Sequence, residues 1–276
     1  MPTAQLSFKY DKLLGAVKDI IADTPDIAVI LGSGLGDFPS ELSIEKVINT
    51  ADLPQYPPST VAGHGGKIFY GKIDTRNVLV FQGRLHFYEG YSLSECLLPV
   101  IITDSLNIRK LIVTNAAGGV NPSFSPGDLM LAVSFNALMI KNELQSIIPV
   151  ANPKQYEDLQ RFGTSEIAEI IRRAAEKTGF KLVEGVYWFN KGPMYETPAE
   201  VKMAGVSGAD AVGMSSVHET LYAITRGIDT AMISLISNMA AGISKSPLSH
   251  QEVMETANLV KVKFNRLIRE AILLTG

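Results

Sequence analysis

The chain has 276 residues and one cysteine, Cys96, so no intramolecular disulfide can brace it. Cys96 lies in the apolar run "SECLLPV" and is expected to be an ordinary buried thiol. No apolar run is long enough to span a bilayer, and the opening "MPTAQLSFKYDK" has no apolar signal core, so a cytoplasmic protein with no membrane partner is expected. An excess of basic residues is also missing: 25 Lys and Arg face 28 Asp and Glu, for a net charge of −3. That excludes a general electrostatic affinity for nucleic acid or anionic lipid, and any anion site must be built locally. There is no repeat, no low-complexity tract and no Gly/Ser linker, so residues 1–276 are read as one domain.

What is present is aliphatic. Hydrophobic residues make up 46% of the chain and charged residues 19%, which suits a large buried sheet. "YDKLLGAVKDIIA" has helical spacing, and "DIAVIL" (26–31) is a short buried strand ending in glycine. "KIFYGKI" and "NVLVFQ" flank "DTRN" as a hairpin. Further strands are expected at 109–114, 128–133, "LVEGVYWFN", "ADAVGM" and "DTAMISLI". "EIAEIIRRAAEKTG" is an amphipathic helix stopped at Gly179, and a long helix runs from Gln251 to Leu274. Strands alternating with helices, interrupted by one hairpin, give an α/β fold with a central mixed β-sheet flanked by helices.

Small residues cluster where strands end: "GSGLGD" (32–37), "NAAGGVNP" (115–122), "SSVHE" and "SNMAAG" (237–242). Such exits let backbone approach a ligand, and open α/β sheets bind ligands at the carboxyl ends of their strands. Ser216 to Glu219 and Ser249 to Glu252 fit capping boxes, which would set Ser215 and His250 at helix N-termini. "GSGLG" after a strand also suits a nicotinamide-dependent oxidoreductase. That reading needs a third glycine where Asp37 stands, and an acidic residue ending the second strand is not evident. A phosphate loop of the Gly-Lys-Ser/Thr kind is absent. In "GRLHFYEGY" (83–91), extended backbone would put Arg84, His86 and Tyr88 on one face, as an anion site or as a half-solvated edge strand. In "GPMYETPAE" (192–200), Thr197, Pro198 and Glu200 start a helix, which leaves the carboxylate of Glu196 with no local task.

Taken in order, "VILGSGLG", "GHGGKIFYG", "QGRLHFYEGY", "VTNAAGGVNP", "GPMYETPAE", "GADAVGMSSVHE" and "SNMAAG" resemble the trimeric class of purine nucleoside phosphorylases, from about Asp26 to the last helix. The resemblance implies the nucleoside phosphorylase fold and a homotrimer. It also implies reversible phosphorolysis of 6-oxopurine nucleosides such as inosine and guanosine, with inorganic phosphate as co-substrate and no metal or organic cofactor. It places Ser33, His64, Arg84, His86, Asn115, Ala116 and Ser215 around phosphate. Tyr88, Met214 and His250 fall at the ribose, and Ala117, Gly118, Tyr195, Glu196 and Asn238 at the base. Asn238, Glu196 and His86 carry the catalytic roles.

Methylthioadenosine phosphorylases are similar too, but carry aspartate at the place of Asn238 and lack a histidine at that of His250, so they are the alternative reading. A non-catalytic nucleoside-binding protein is the more remote one, and it would not need Ser33, Arg84, His86 and Ser215 together. The chain departs from the family pattern over residues 134–165, where Phe162 is not placed in the site. His218 stands where relatives have proline and is expected to be an exposed first-turn residue.

Overall fold

The computed structural model describes residues 3–21, 23–60, 65–148, 151–244 and 249–276. Its strands are β1 (Ile27–Leu31), β2 (Ser43–Asn49), β3 (Lys67–Ile73), β4 (Arg76–Gln82), β5 (Lys110–Gly119), β6 (Leu129–Asn136), β7 (Leu182–Phe189), β8 (Ala211–Gly213) and β9 (Asp229–Met239). Its helices are α1 (Thr3–Lys9), α2 (Asp11–Ile20), α3 (Leu93–Cys96), α4 (Leu98–Ser105), α5 (Lys141–Gln145), α6 (Pro153–Gln160), α7 (Glu166–Thr178), α8 (Pro198–Val206), α9 (Val217–Thr225) and α10 (His250–Leu273).

All nine strands join one mixed sheet in the order β2-β3-β4-β1-β5-β8-β7-β6-β9, and β9 also pairs with β5. The pairings β5-β8-β7-β6-β9 therefore return on themselves, and half of the sheet closes into a small barrel. β1 runs parallel to β4 and β5, and β5 parallel to β9, so the carboxyl ends of these four strands emerge side by side. The predicted hairpin is β3 and β4, antiparallel from Lys67↔Gln82 to Ile73↔Arg76.

β1 shows how the sequence fills both layers. Its five residues are all buried, with Ala28 and Ile30 in one apolar cluster and Ile27, Val29 and Leu31 in the other. Strand side chains alternate in direction, so an unbroken aliphatic run is what two covered faces require. Leu13, Leu14 and Val17 of α2 cover the first face, and α7 and α10 cover the second. Cys96 is a buried thiol, as expected.

Several boundaries differ from the sequence reading. β2 was not anticipated, because five of its first residues are exposed and carry no alternation signal. "NAAGG" is the end of β5, not a loop: Gly118 and Gly119 pair with Val212 and Ala211 of β8 as well as with β9. Phe162 is core, packed edge-on against Phe135 at 5.1 Å between ring centres. Among the described residues, no helix is long and apolar enough to cross a membrane.

Candidate active site

The site grows from the strand ends. Gly32 follows β1, and a Cβ there would lie 2.6 Å from the Asn115 Cα, so only glycine lets the β1 exit lie against β5. Ser33 is thereby delivered beside Asn115 and Ala116 of β5. β4 leads through Gly83 to Arg84, whose side chain is 1% exposed. Its Nη1 donates to Ser215 Oγ at 3.2 Å and to Ser216 Oγ at 3.3 Å. Its Nε lies 3.2 Å from Glu219 Oε1, whose side chain is 0% exposed. Burial pushes the Glu219 carboxyl up from its ordinary value, and the Arg84 guanidinium and the Ser216 amide pull against it.

This pair corrects the capping-box expectation at Ser216. Ser216 has φ 72° and makes no side-chain cap; the Val217 amide instead donates to Ser215 O at 2.8 Å. That is a γ-turn of the rare, strained hand, with a non-glycine residue at positive φ. Its side chain is held from two sides, by Arg84 and by Asn115 Nδ2 donating at 2.9 Å. With its hydroxyl so engaged, Ser216 does not cap α9, while Glu219 meets both the Ser216 amide and Arg84. At α10 the expectation holds in part: Ser249 Oγ accepts from the Glu252 amide at 3.1 Å.

Past Arg84 the chain is not the extended strand expected. It turns into a short 3-10 segment at Phe87–Glu89, with the His86 and Tyr88 rings stacked 4.7 Å apart. Glu89 Oε1 accepts from the His86 amide at 2.8 Å and faces His86 Nδ1 at 3.0 Å, while Oε2 accepts from the Thr60 amide and hydroxyl. Burial pushes the Glu89 carboxyl up, but the hydrogen bonds from His86 and Thr60 outweigh it and hold the group down at about 2. Burial, with help from Arg84, lowers His86 against the opposing pull of Glu89. His86 is thus neutral at pH 7. A carboxylate can only accept, so Nδ1 carries the proton and Nε2 keeps its lone pair.

The opposite wall comes from β9 and the segment after β7. The β5–β9 register shifts between Ala117 and Gly118, where Ala117 pairs with Ile236 and Gly118 with Asn238. Such a bulge re-aims side chains. Ser237 Oγ donates to Ala117 O at 3.3 Å and to Asn238 Oδ1 at 3.1 Å, which leaves Nδ2 as the donor of the Asn238 amide. Glu196 is buried, and its Oε1 accepts from Asn190 Nδ2 at 2.7 Å. The capping box after it forms as the sequence indicates. Thr197 N donates to Glu200 Oε2 at 2.7 Å and Glu200 N to Thr197 Oγ1 at 3.3 Å, so Glu196 is not needed there. Gly192, at φ 72°, packs where a Cβ would be 2.8 Å from Met214 Sδ and 3.2 Å from Tyr88, which draws three segments together.

One cleft of about 1000 Å³, counting the solvent at its mouth, collects these groups. Ser33, Arg84, His86, Tyr88, Asn115, Ala116, Ala117, Gly118, Tyr195, Glu196, Met214, Ser215 and Asn238 all line it. His64 and the side chain of His250 lie outside the described residues. The sequence reading missed Glu219, Glu89, Ser216 and Asn190. Both glutamates stood in the quoted motifs; His86, the partner of Glu89, lies three residues away, but nothing local names Arg84 as the partner of Glu219.

His218 corrects a further expectation. It is fully buried, edge-on to Phe189 at 5.7 Å, and among the described residues neither ring nitrogen has a hydrogen-bond partner. Burial, then the charges of Arg84 and His86, push it down to about 3. The folded chain therefore refuses a proton that the unfolded chain binds below about pH 6.5. The stability this histidine contributes is complete above that pH and falls away towards pH 3. His218→Phe is expected to remove one proton from the acid slope and to gain ~2–3 kcal/mol on the wild type near pH 4.5 relative to pH 7.5. Denaturant melts at the two pH values measure this, and parallel slopes would refute it.

Residues 26–273 match the family model of the phosphorylase superfamily. Purine nucleoside phosphorylase 1 of Geobacillus stearothermophilus is 43% identical over 256 residues, covering 93% of each chain. Purine nucleoside phosphorylase 1 of Bacillus subtilis is 38% identical over 264 residues, covering 96% of this chain and 97% of its own. The crystal structure of Schistosoma mansoni purine nucleoside phosphorylase in complex with inosine superposes with a TM-score of 0.85 at 29% identity, over 96% of this chain and 95% of that one. With near-complete coverage, the same fold and this arrangement of strand ends, the chain belongs to the phosphorylase superfamily, among its purine nucleoside phosphorylases.

Proposed function

We propose that this enzyme carries out reversible phosphorolysis of 6-oxopurine nucleosides, yielding the free base and pentose 1-phosphate. The observation that carries the reading is one cleft that collects an arginine, a histidine and small hydroxyls together with a carboxylate and a primary amide. The same polar set argues against a non-catalytic binder, which would not need the anion-binding groups.

In this reading Arg84, Ser215, Ser33, Asn115 and the Ala116 backbone donate to phosphate beside the anomeric carbon of the ribose, and His86 Nε2 accepts from the phosphate hydroxyl. Tyr88 and Met214 face the sugar. Burial pushes the Tyr88 hydroxyl up to about 12, so it stays a neutral phenol. As the C1′–N9 bond breaks, its electron pair stays on the purine, a phosphate oxygen forms the new bond to C1′, and the proton that monohydrogen phosphate gives up ends on the free base. The positive charge that develops on the ribose is stabilised by the adjacent phosphate. Asn238 Nδ2 donates to the purine as negative charge grows there, and Glu196 accepts from the N–H on the far edge. Ala117, Gly118 and Tyr195 pack around the ring. Phosphate is the nucleophile and hydrogen bonds stabilise the leaving group, so the reading calls for no metal or organic cofactor. Asn238 also favours 6-oxopurines over the 6-aminopurines of the methylthioadenosine phosphorylases.

We assign the enzyme to the cytoplasm as one domain over 1–276 and a homotrimer. Hypoxanthine release from inosine should require phosphate and yield ribose 1-phosphate, and sedimentation should give three times the 29.9 kDa chain mass. Release at the same rate without phosphate would make this a hydrolase and overturn the reading.

A further inference from the structure

We propose that Asn190 is a positioning residue that sets the carboxylate of Glu196 for the purine edge and thereby helps to decide which edge the site accepts. The inference rests on the function proposed above and concerns a residue to which that reading gives no role.

Asn190 is the first residue after β7, and its backbone is pinned by donation from its amide to Gly213 O at 2.9 Å, at the end of β8. Its side chain then reaches across the turn to Glu196 Oε1 at 2.7 Å. A carboxylate only accepts, so the amide orientation is settled: Nδ2 donates. Among the described residues this is the hydrogen-bond partner of the Glu196 side chain. The contact closes the segment 190–196 into a loop whose far end is locked by the Thr197 capping box. Lys191 pairs with Glu143 of α5 and lies 5.6 Å over the Phe87 ring, which ties the same segment to the 3-10 turn behind His86.

A carboxylate offers about four lone-pair positions. Asn190 takes one of them and holds the plane of the group, and the others remain for donors. Inosine brings one N–H to that edge, and guanosine adds an amino group. An adenosine-type base brings a bare ring nitrogen, which sets an acceptor against an acceptor. Without Asn190 the carboxylate loses its fixed plane, and the discrimination weakens with it.

The readout is hypoxanthine binding by calorimetry, together with separate KM values for inosine and phosphate. Asn190→Leu keeps the volume and removes the donor. Hypoxanthine binding and the KM for inosine should weaken about tenfold, with the KM for phosphate changed less than about twofold. Asn190→Asp supplies a readout that a merely structural role would not move. Two carboxyl groups at this separation cannot both ionise freely. While the introduced group keeps its proton it donates to Glu196 as the amide did; once ionised it repels Glu196. The ratio of variant to wild-type hypoxanthine affinity should therefore be near one at pH 5 and drop at least about tenfold by pH 8. Other charged or titratable groups nearby are Lys191 and Glu143, Tyr187 on β7, Tyr195, and Glu252 on α10, and dividing by the wild type cancels their titration. A pH-independent ratio, or Asn190→Leu binding as well as wild type, overturns the proposal. If the wild type binds hypoxanthine but does not use phosphate, only the functional reading fails. If it binds no hypoxanthine, both fail.

Discussion

Glu219→Ala is expected to lower folding stability by about 3–5 kcal/mol, the range for removing one partner of a buried charge pair. The Arg84 and Glu219 side chains are 1% and 0% exposed and approach to 3.2 Å. Arginine cannot shed its charge at any ordinary pH, so removing Glu219 takes the carboxylate away from an almost wholly buried guanidinium. Neutral acceptors, among them Ser215 and Ser216 Oγ and Ile30 O at 3.5 Å, do not replace the carboxylate. Glu219→Gln keeps the volume and an acceptor oxygen, and should lose clearly less. Denaturant midpoints for the two variants decide the matter. An alanine variant within about 1 kcal/mol of wild type would show that the pair contributes little. Because Arg84 Nη1 is aimed at Ser215 through this anchor, Glu219→Ala should also raise the KM for phosphate more than that for inosine.

Asn238→Ala should reduce turnover of inosine by about 10²–10³-fold, the loss seen when a preorganised donor to developing negative charge is removed. The residue is buried, re-aimed by the β9 bulge, and held through Oδ1 by Ser237, so its donor is in place before the reaction begins. Preorganisation of this kind acts on the transition state more than on the ground state. The KM for phosphate, assigned above to other residues, should stay within a few-fold. Parallel losses in turnover and phosphate binding would remove Asn238 from its assigned role.

Much of the site could be read in order along the chain, since glycines and small residues at strand exits announce where backbone must come close. Glu196 was legible by subtraction: Thr197, Pro198 and Glu200 satisfied the helix start, and the spare carboxylate needed a use. The same reasoning misled at Ser216. Ser-x-x-Glu at the head of an apolar helix is a sound local pattern for a capping box. Here the Ser216 hydroxyl accepts from Arg84 and Asn115 instead of from the helix end, and Glu219 faces Arg84 as well as the Ser216 amide. His218 was misplaced for a related reason. The first turn of a helix is usually exposed, but α9 lies with that turn against β7, where Phe189 covers it.

Patterns a few residues long were enough for the strands that fill two apolar layers, the helix start at Thr197 and the stop at Gly179, and the order of seven such patterns along the chain was enough for the family. Folding settled that "NAAGG" continues a strand into a closed ring, that Glu219 serves Arg84 and that Ser216 bears a strained turn. Those outcomes depend on partners far apart along the chain, whose attraction exists only after folding has removed the water between them.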